Sequence, residues 1–211
     1  MRTALLAAFV GTLALASGRT TASGQSEIRA FAPVVVDVAG DGLQFSSVQE
    51  GVMFDVDGSG TTRRVAWTVP GTDDAFLALD FGRDGTIDEP GDLFGGMAGP
   101  PNGFEFLATL DGKQSPVSEL EVGPRDGVMD VEDPVFQKLV LWADRNHNGK
   151  AEEDELESVA HAGFTRMYLR CEKIGQPIEG GNVIESRSIA LRQNDRGVEV
   201  AREMVTVRLA Q

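Results

Sequence analysis

Cysteine occurs once in the 211 residues, at Cys171, and histidine twice, at His147 and His161. A single thiol excludes an internal disulfide and leaves no lipid-anchoring cysteine near the N-terminus; in Met167-Tyr-Leu-Arg-Cys-Glu172 it reads as a bland strand residue. Two histidines with no His-Glu-x-x-His, no Gly-x-Ser-x-Gly and no Ser-His-Asp order exclude the familiar hydrolase signatures, so no catalytic residue is assigned and a non-enzymatic protein is expected. Basic residues are also scarce: 19 Lys and Arg stand against 33 Asp and Glu, a formal charge of −14. That excess argues against nucleic acid or an anionic membrane as partner. Long apolar runs are missing after the first residues. Leu5 to Ala16, broken only by Gly11 and Thr12, is too short to span a bilayer. Behind Met1-Arg2 and ahead of small residues, it reads as a secretory signal peptide over residues 1–24. Its removal deletes Arg2 and Arg19 and no acid, which takes the charge from −14 to −16.

What is abundant is acid next to glycine. Residues 144 to 155 read Asp-Arg-Asn-His-Asn-Gly-Lys-Ala-Glu-Glu-Asp-Glu, a full match to the EF-hand calcium loop. Asp144, Asn146 and Asn148 offer oxygens at positions 1, 3 and 5, and Gly149 at position 6 permits the sharp turn. Lys150 contributes a backbone carbonyl, Glu152 acts directly or through water, and Glu155 supplies the bidentate carboxylate. The flanks suggest helices. Asp133-Pro134 has the form of an N-cap and first helical residue. Phe136, Leu139, Val140 and Ala143 follow helical spacing, as do Leu156, Val159 and Ala160 up to Gly163. An EF-hand-like helix-loop-helix is therefore expected.

The acidic turn recurs in weaker forms. Asp37 to Gly42 lacks an oxygen ligand at position 3. Asp55 and Asp57 open a turn whose second half, through Arg63 and Arg64, has no acid. Asp80, Asp84 and Asp88 precede a closing acid, Asp92, one residue late. Asp126, Asp130 and Asp133 form the second half of a loop whose first half is displaced by an insertion after Asp111. Asp-Gly is a common turn without any metal, so the recurrence weighs more than any one member.

Between these turns, Val34 to Val36, Val52 to Phe54, Val65 to Trp67 and Ala75 to Leu79 read as short strands, and Gly103 to Leu110 as a short helix. Phe164 to Glu172, Val183 to Arg192 and Val198 to Leu209 alternate with period 2 and are expected to form an antiparallel meander. The expected fold is α+β, with residues 25–32 a flexible lead-in and 33–211 one calcium-binding domain. Within that domain, 33–163 carries the turns and 164–211 the meander.

From Pro33 to about residue 170 the pattern resembles the calcium-binding, self-processing module of Frp-type RTX proteins and related secreted bacterial EF-hand proteins. The matching segments are Val35 to Gly42, Phe54 to Gly60, Ala66-Trp67, Phe76 to Asp80, Asp84 to Asp88, Asp92 to Gly95, Asn102 to Phe104, Leu107, Leu110-Asp111, Asp126-Gly127, Asp133 to Phe136, Leu139 to Asp144, Asn148-Gly149, Glu155-Leu156 and Gly163. The resemblance implies a module that folds or tightens in extracellular calcium. In the toxin-type module calcium also triggers cleavage of an Asp-Pro bond; the aligned pair here is Ala32-Pro33, without the carboxylate, and Asp133-Pro134 lies inside the domain. The function expected is a secreted calcium-binding protein, with calcium as its ion and its protein partner unspecified. The alternatives are a calcium-shaped adhesion or partner-binding protein, and an uncharacterised hydrolase.

Overall fold

A computed structural model describes residues 31–96, 102–112 and 124–211. The expected signal peptide and most of the expected lead-in lie outside these residues. Phe31 and Ala32, assigned above to the lead-in, are buried, and Ala32 donates its N–H to the Gly95 carbonyl at 3.1 Å.

The strands run in order β1 (Val34–Val36), β2 (Val52–Phe54), β3 (Arg63–Val65), β4 (Ala75–Ala78), β5 (Val128–Asp130), β6 (Val140–Trp142), β7 (Leu156–Ser158), β8 (Phe164–Tyr168), β9 (Glu172–Pro177), β10 (Val183–Gln193) and β11 (Glu199–Arg208). Nine of them form one antiparallel sheet in the order β5-β8-β10-β11-β1-β4-β6-β7, with β9 also pairing β10. β2 and β3 form a separate hairpin with Val52 opposite Val65. The one α-helix among the described residues, α1 (Gly103–Ala108), is capped by Asn102, whose side chain accepts from the N–H groups of Phe104 and Glu105. No helix among the described residues is long and apolar enough to cross a membrane.

The sheet lies between two apolar layers, which explains its composition. Val34 and Val36 of β1 and Ala75 and Leu77 face one layer, with Phe104 and Leu107 of α1 and Phe136. Val35, Phe76 and Ala78 face the other, with Trp67, Phe54 and Val65. Strands covered on both faces need continuous apolar runs rather than alternation, and β1 reads Val-Val-Val and β4 Ala-Phe-Leu-Ala. The second layer is aromatic: Trp67 lies 4.4 Å from Phe76 and 5.6 Å from Trp142, ring centre to ring centre.

The expected α+β fold with a helix-loop-helix is corrected by this architecture, which is mostly β. Residues 136–138 make a single 3-10 turn, after which Val140–Trp142 is strand β6, paired with β4 on one side and β7 on the other. After the loop, Glu153–Glu155 is another 3-10 turn leading into β7. The run from Leu139 to Ala143 mimics a helical face, yet Leu141 and Trp142 are both buried and belong to opposite layers. A helix presenting one stripe cannot divide adjacent residues between two faces, whereas a strand does so by its pleat. Asp133 caps no helix. Its carboxylate accepts from Gly112 and Asp130 instead.

Candidate metal centres

The loop from Asp144 to Glu155 connects β6 to β7 and is drawn closed at its base, where the Ala143 N–H donates to the Glu155 carbonyl at 3.1 Å. Asp144 is buried. Its Oδ1 accepts from the Asn148 N–H at 3.0 Å and its Oδ2 from Gly149 at 2.8 Å. Asn148 Oδ1 accepts from the Lys150 N–H at 2.7 Å. Glu155, also buried, receives the Asn146 N–H at 3.1 Å on Oε1 and the Trp142 indole N–H at 3.4 Å on Oε2. Glu152 takes both side-chain amides, Asn146 at 3.2 Å and Asn148 at 2.7 Å. Five of the residues expected as ligands by their side chains therefore converge. Gly149 has φ of +72°, the left-handed conformation its position requires. His147, also left-handed at +60°, turns its half-buried ring toward the segment before β2, where its Nε2 meets the Glu50 carbonyl at 2.7 Å.

The electrostatics of the loop are strained in one direction. Burial pushes the Glu155 carboxyl above its ordinary range, and Glu152 and the Asp144 charge push the same way. Glu152, at the surface, is held below its ordinary range, chiefly by the Asn148 amide. Two buried acids facing one another are costly unless a cation or a proton answers them.

The same hydrogen-bond pattern recurs at the weaker turns. Asp80 accepts from Asp84 at 3.3 Å and from Gly85 at 2.9 Å, and Asp84 accepts from the Thr86 N–H at 3.0 Å. Its closing acid, Asp92, is buried, accepts from Phe81 at 3.1 Å and Glu89 at 3.2 Å, and is likewise raised by burial. Asp55 accepts from Ser59 at 3.2 Å and Gly60 at 2.6 Å. Its partner Asp57, however, bonds to Ser59 and pairs with the Arg63 guanidinium. Ser59 first, and then Arg63, hold Asp57 below its ordinary range. That arginine already answers the acid, so the 55–60 turn has less need of an ion. Asp88 is exposed and shares a shallow concavity with Asp55, Gly149 and Ala151.

The tightest acidic cluster lies elsewhere. Among the described residues, Asp37, Asp41 and Asp73 alone bring three acidic side chains within 4.8 Å of one another. Asp37 accepts from Gly40 at 2.6 Å and Gly42 at 3.0 Å, and Asp73 accepts from the Ala39 N–H. Asp74 lies against them, 1% exposed. Its Oδ2 accepts from Gln44 at 2.8 Å, while its Oδ1 has no partner among the described residues. Burial, with the added charges of Asp73, Asp37 and Asp41, pushes its carboxyl up to about 7. No Lys or Arg comes within salt-bridge distance of these four acids among the described residues.

A family model, the SPM domain, matches residues 34–206. The chain belongs to the SPM domain family. It is also 25% identical over 162 residues to the iron-regulated protein FrpA of Neisseria meningitidis serogroup C. That alignment takes in 73% of this chain and 13% of FrpA, so the chain spans only about an eighth of that relative. The resemblance to Frp-type proteins read from the turn spacing agrees with this match.

The SPM domain thus brings Asp144, Asn146, Asn148, Glu152 and Glu155 together, gathers Asp80 and Asp84 with Asp92, and sets Asp57 against an arginine. Sequence reasoning missed Asp73 and Asp74. Their signal was present: Asp-Asp immediately precedes β4, and β4 pairs β1 with Ala75 opposite Val36. One step past that pair sets Asp74 beside Asp37, but only the register reveals it. The cluster can hold a metal ion. Its donors are all carboxylate oxygens with no His or Cys, a set suited to a hard cation, and the orphaned Asp74 oxygen is a buried lone pair that a cation would satisfy.

Proposed function

We propose that this SPM domain is an exported, non-enzymatic calcium-binding module whose fold is tightened by the ion. The observation carrying this reading is the closure of Asp144 to Glu155 around five oxygen-bearing side chains, with two buried carboxylates that no Lys or Arg among the described residues reaches at salt-bridge distance. Lys150 would add its backbone carbonyl. Asp37, Asp41, Asp73 and Asp74 are the second candidate, tied to the first because the Gly71 N–H donates to the Arg145 carbonyl at 3.1 Å. Calcium is scarce in cytosol and plentiful outside, so export itself would load sites of the about 10⁻⁴ to 10⁻³ M affinity typical of extracellular modules. At Ala32-Pro33 there is no side-chain carboxylate to attack the bond, and we expect no self-cleavage there.

The test is a calcium titration of the EDTA-stripped full chain followed by tryptophan fluorescence. Trp142 donates to Glu155 and should report occupancy of that loop directly. A saturable change, reversed by EDTA and much weaker with magnesium, is the expected result. No fluorescence change together with no calorimetric heat would overturn the reading.

A further inference from the structure

We propose that Arg192 and Arg202 form a binding site for a small divalent oxyanion of the phosphate or sulfate type. The site lies on the long hairpin of β10 and β11 and does not rest on the calcium reading. Four arginines stand on these two strands, and the structure divides them. Arg187 and Arg208 are each answered by a carboxylate across the hairpin, Glu203 for the first and Glu185, at 2.9 Å, for the second. Arg192 and Arg202 have no carboxylate within salt-bridge distance among the described residues. Arg192 pairs Val200 and Arg202 pairs Ala190, so the two side chains are diagonal neighbours on one face of the hairpin. Both reach the same backbone oxygen. Arg202 Nε donates to the Val38 carbonyl at 2.9 Å, and Arg192 Nη1 donates to it at 3.2 Å. Arg192 Nε also donates to the Ala162 carbonyl at 2.7 Å, and Arg202 Nη1 to the Ala201 carbonyl at 3.0 Å.

Two like charges gathered at one neutral oxygen repel each other, and a carbonyl cancels neither. The carbonyls take up Nε and Nη1 of each guanidinium. The Nη2 donors of both have no partner among the described residues. Both side chains are half-buried, which limits screening of their charge. Their carbonyl bonds fix the two forks before any ligand arrives. Arg202 is held further by lying on Gly40, where a Cβ would come 2.8 Å from its Nη1. Two fixed guanidiniums with free donor edges suit a tetrahedral dianion, which takes charge-assisted bonds from each. Anchoring the Asp37 to Gly42 turn accounts for the Nε and Nη1 donors. It does not account for a doubled positive charge left unanswered in a chain of formal charge −14. The same acid excess repels large polyanions, so the ligand class is a small free oxyanion.

The test is calorimetric titration of the full chain, stripped with EDTA and dialysed, with sodium phosphate at pH 8 against sodium chloride of equal ionic strength. Saturable uptake of phosphate is expected, displaced by sulfate, with acetate at least about tenfold weaker because it carries one charge. Arg192→Gln and Arg202→Gln should each weaken phosphate at least about tenfold. Arg187→Gln, whose arginine already has its carboxylate, should bind as the wild type does. Because Arg192 and Arg202 also anchor a turn, Arg202→Lys is the further variant. It keeps the charge and removes the fork, and with native tryptophan fluorescence it should still bind phosphate more weakly. No saturable heat in the wild type overturns the site, as does wild-type affinity in Arg202→Lys together with either glutamine variant. An equal loss in Arg187→Gln and Arg192→Gln means general charge attraction and overturns it too. Acetate binding as tightly as phosphate overturns the dianion class.

Discussion

Glu155 has two tasks that pull against each other. Its carboxylate is buried against Trp142, where burial favours the neutral form, and it is also the residue that must be charged to grip calcium. Glu155→Gln keeps the shape and removes the charge. Calcium affinity at that loop should fall at least roughly tenfold while stability in EDTA holds or rises; calorimetry and urea unfolding measure the two effects. Asp74 makes the same point more strongly. Its ordinary value of 3.8 is raised to about 7, so the folded, calcium-free chain holds a proton that the unfolded chain gives up. Its contribution to stability is therefore complete below about pH 4 and is lost as pH rises through 7. Asp74→Asn abolishes that dependence. In EDTA at pH 8 it should stabilise the chain by about 2 kcal/mol, and it should reduce the further gain on adding calcium. Denaturant midpoints at pH 5 and pH 8, with and without calcium, check both signs.

At the scale of elements, the turns were more legible than what they join. The Asp144 to Glu155 loop could be read position by position because each residue type is dictated locally: an oxygen here, a left-handed glycine there. The flanking segments could not, because apolar spacing across Phe136, Leu139 and Ala143 satisfies a helix as well as a 3-10 turn followed by a strand. Pairing of Phe76 with Trp142, and of Trp142 with Leu156, decided for the strand. Two glycines separate backbone strain from crowding. Gly127 has φ of +84° and open space where a side chain would stand, whereas at Gly149, φ of +72°, a Cβ would come 3.0 Å from the Met53 carbonyl and 3.1 Å from Val52. Gly127→Ala should cost about 1 kcal/mol, the left-handed penalty alone. Gly149→Ala should cost about 2 kcal/mol or more, and urea melts of both variants in EDTA give the comparison.

At the scale of the whole molecule, acids collect at one end of the central strands. Val36 pairs Ala75 and Phe76 pairs Trp142, so Asp37, Asp74 and Asp144 follow one another across β1, β4 and β6, one step past the Val36–Ala75 pair and two steps past Phe76–Trp142. Concentrated negative charge at the ends of a buried sheet destabilises the compact state, and calcium would relieve it where it is densest. At about 100 times its dissociation constant, calcium adds roughly 2.7 kcal/mol per site, against a total stability of about 5 to 15 kcal/mol. For a chain of this length the melting temperature should rise about 5 to 10 °C per occupied site, and EDTA should reverse it. Calorimetric scans at fixed protein and varied calcium read that shift directly.

The amino-acid order by itself determined the calcium-type loop, the recurrence of its weaker copies, the lack of disulfides and of hydrolase signatures, and the family resemblance. These rest on residue types at short spacing, where backbone geometry and ligand chemistry act within a dozen positions. Only the tertiary structure decided that β6 is a strand covered on both faces and that Asp73 and Asp74 join Asp37 and Asp41. It likewise decided that Arg63 already answers Asp57, and that Arg192 and Arg202 meet at the Val38 carbonyl. Each of those depends on which distant segments pair, and strand pairing is set by the packing of the whole sheet against its two apolar layers rather than by any local preference.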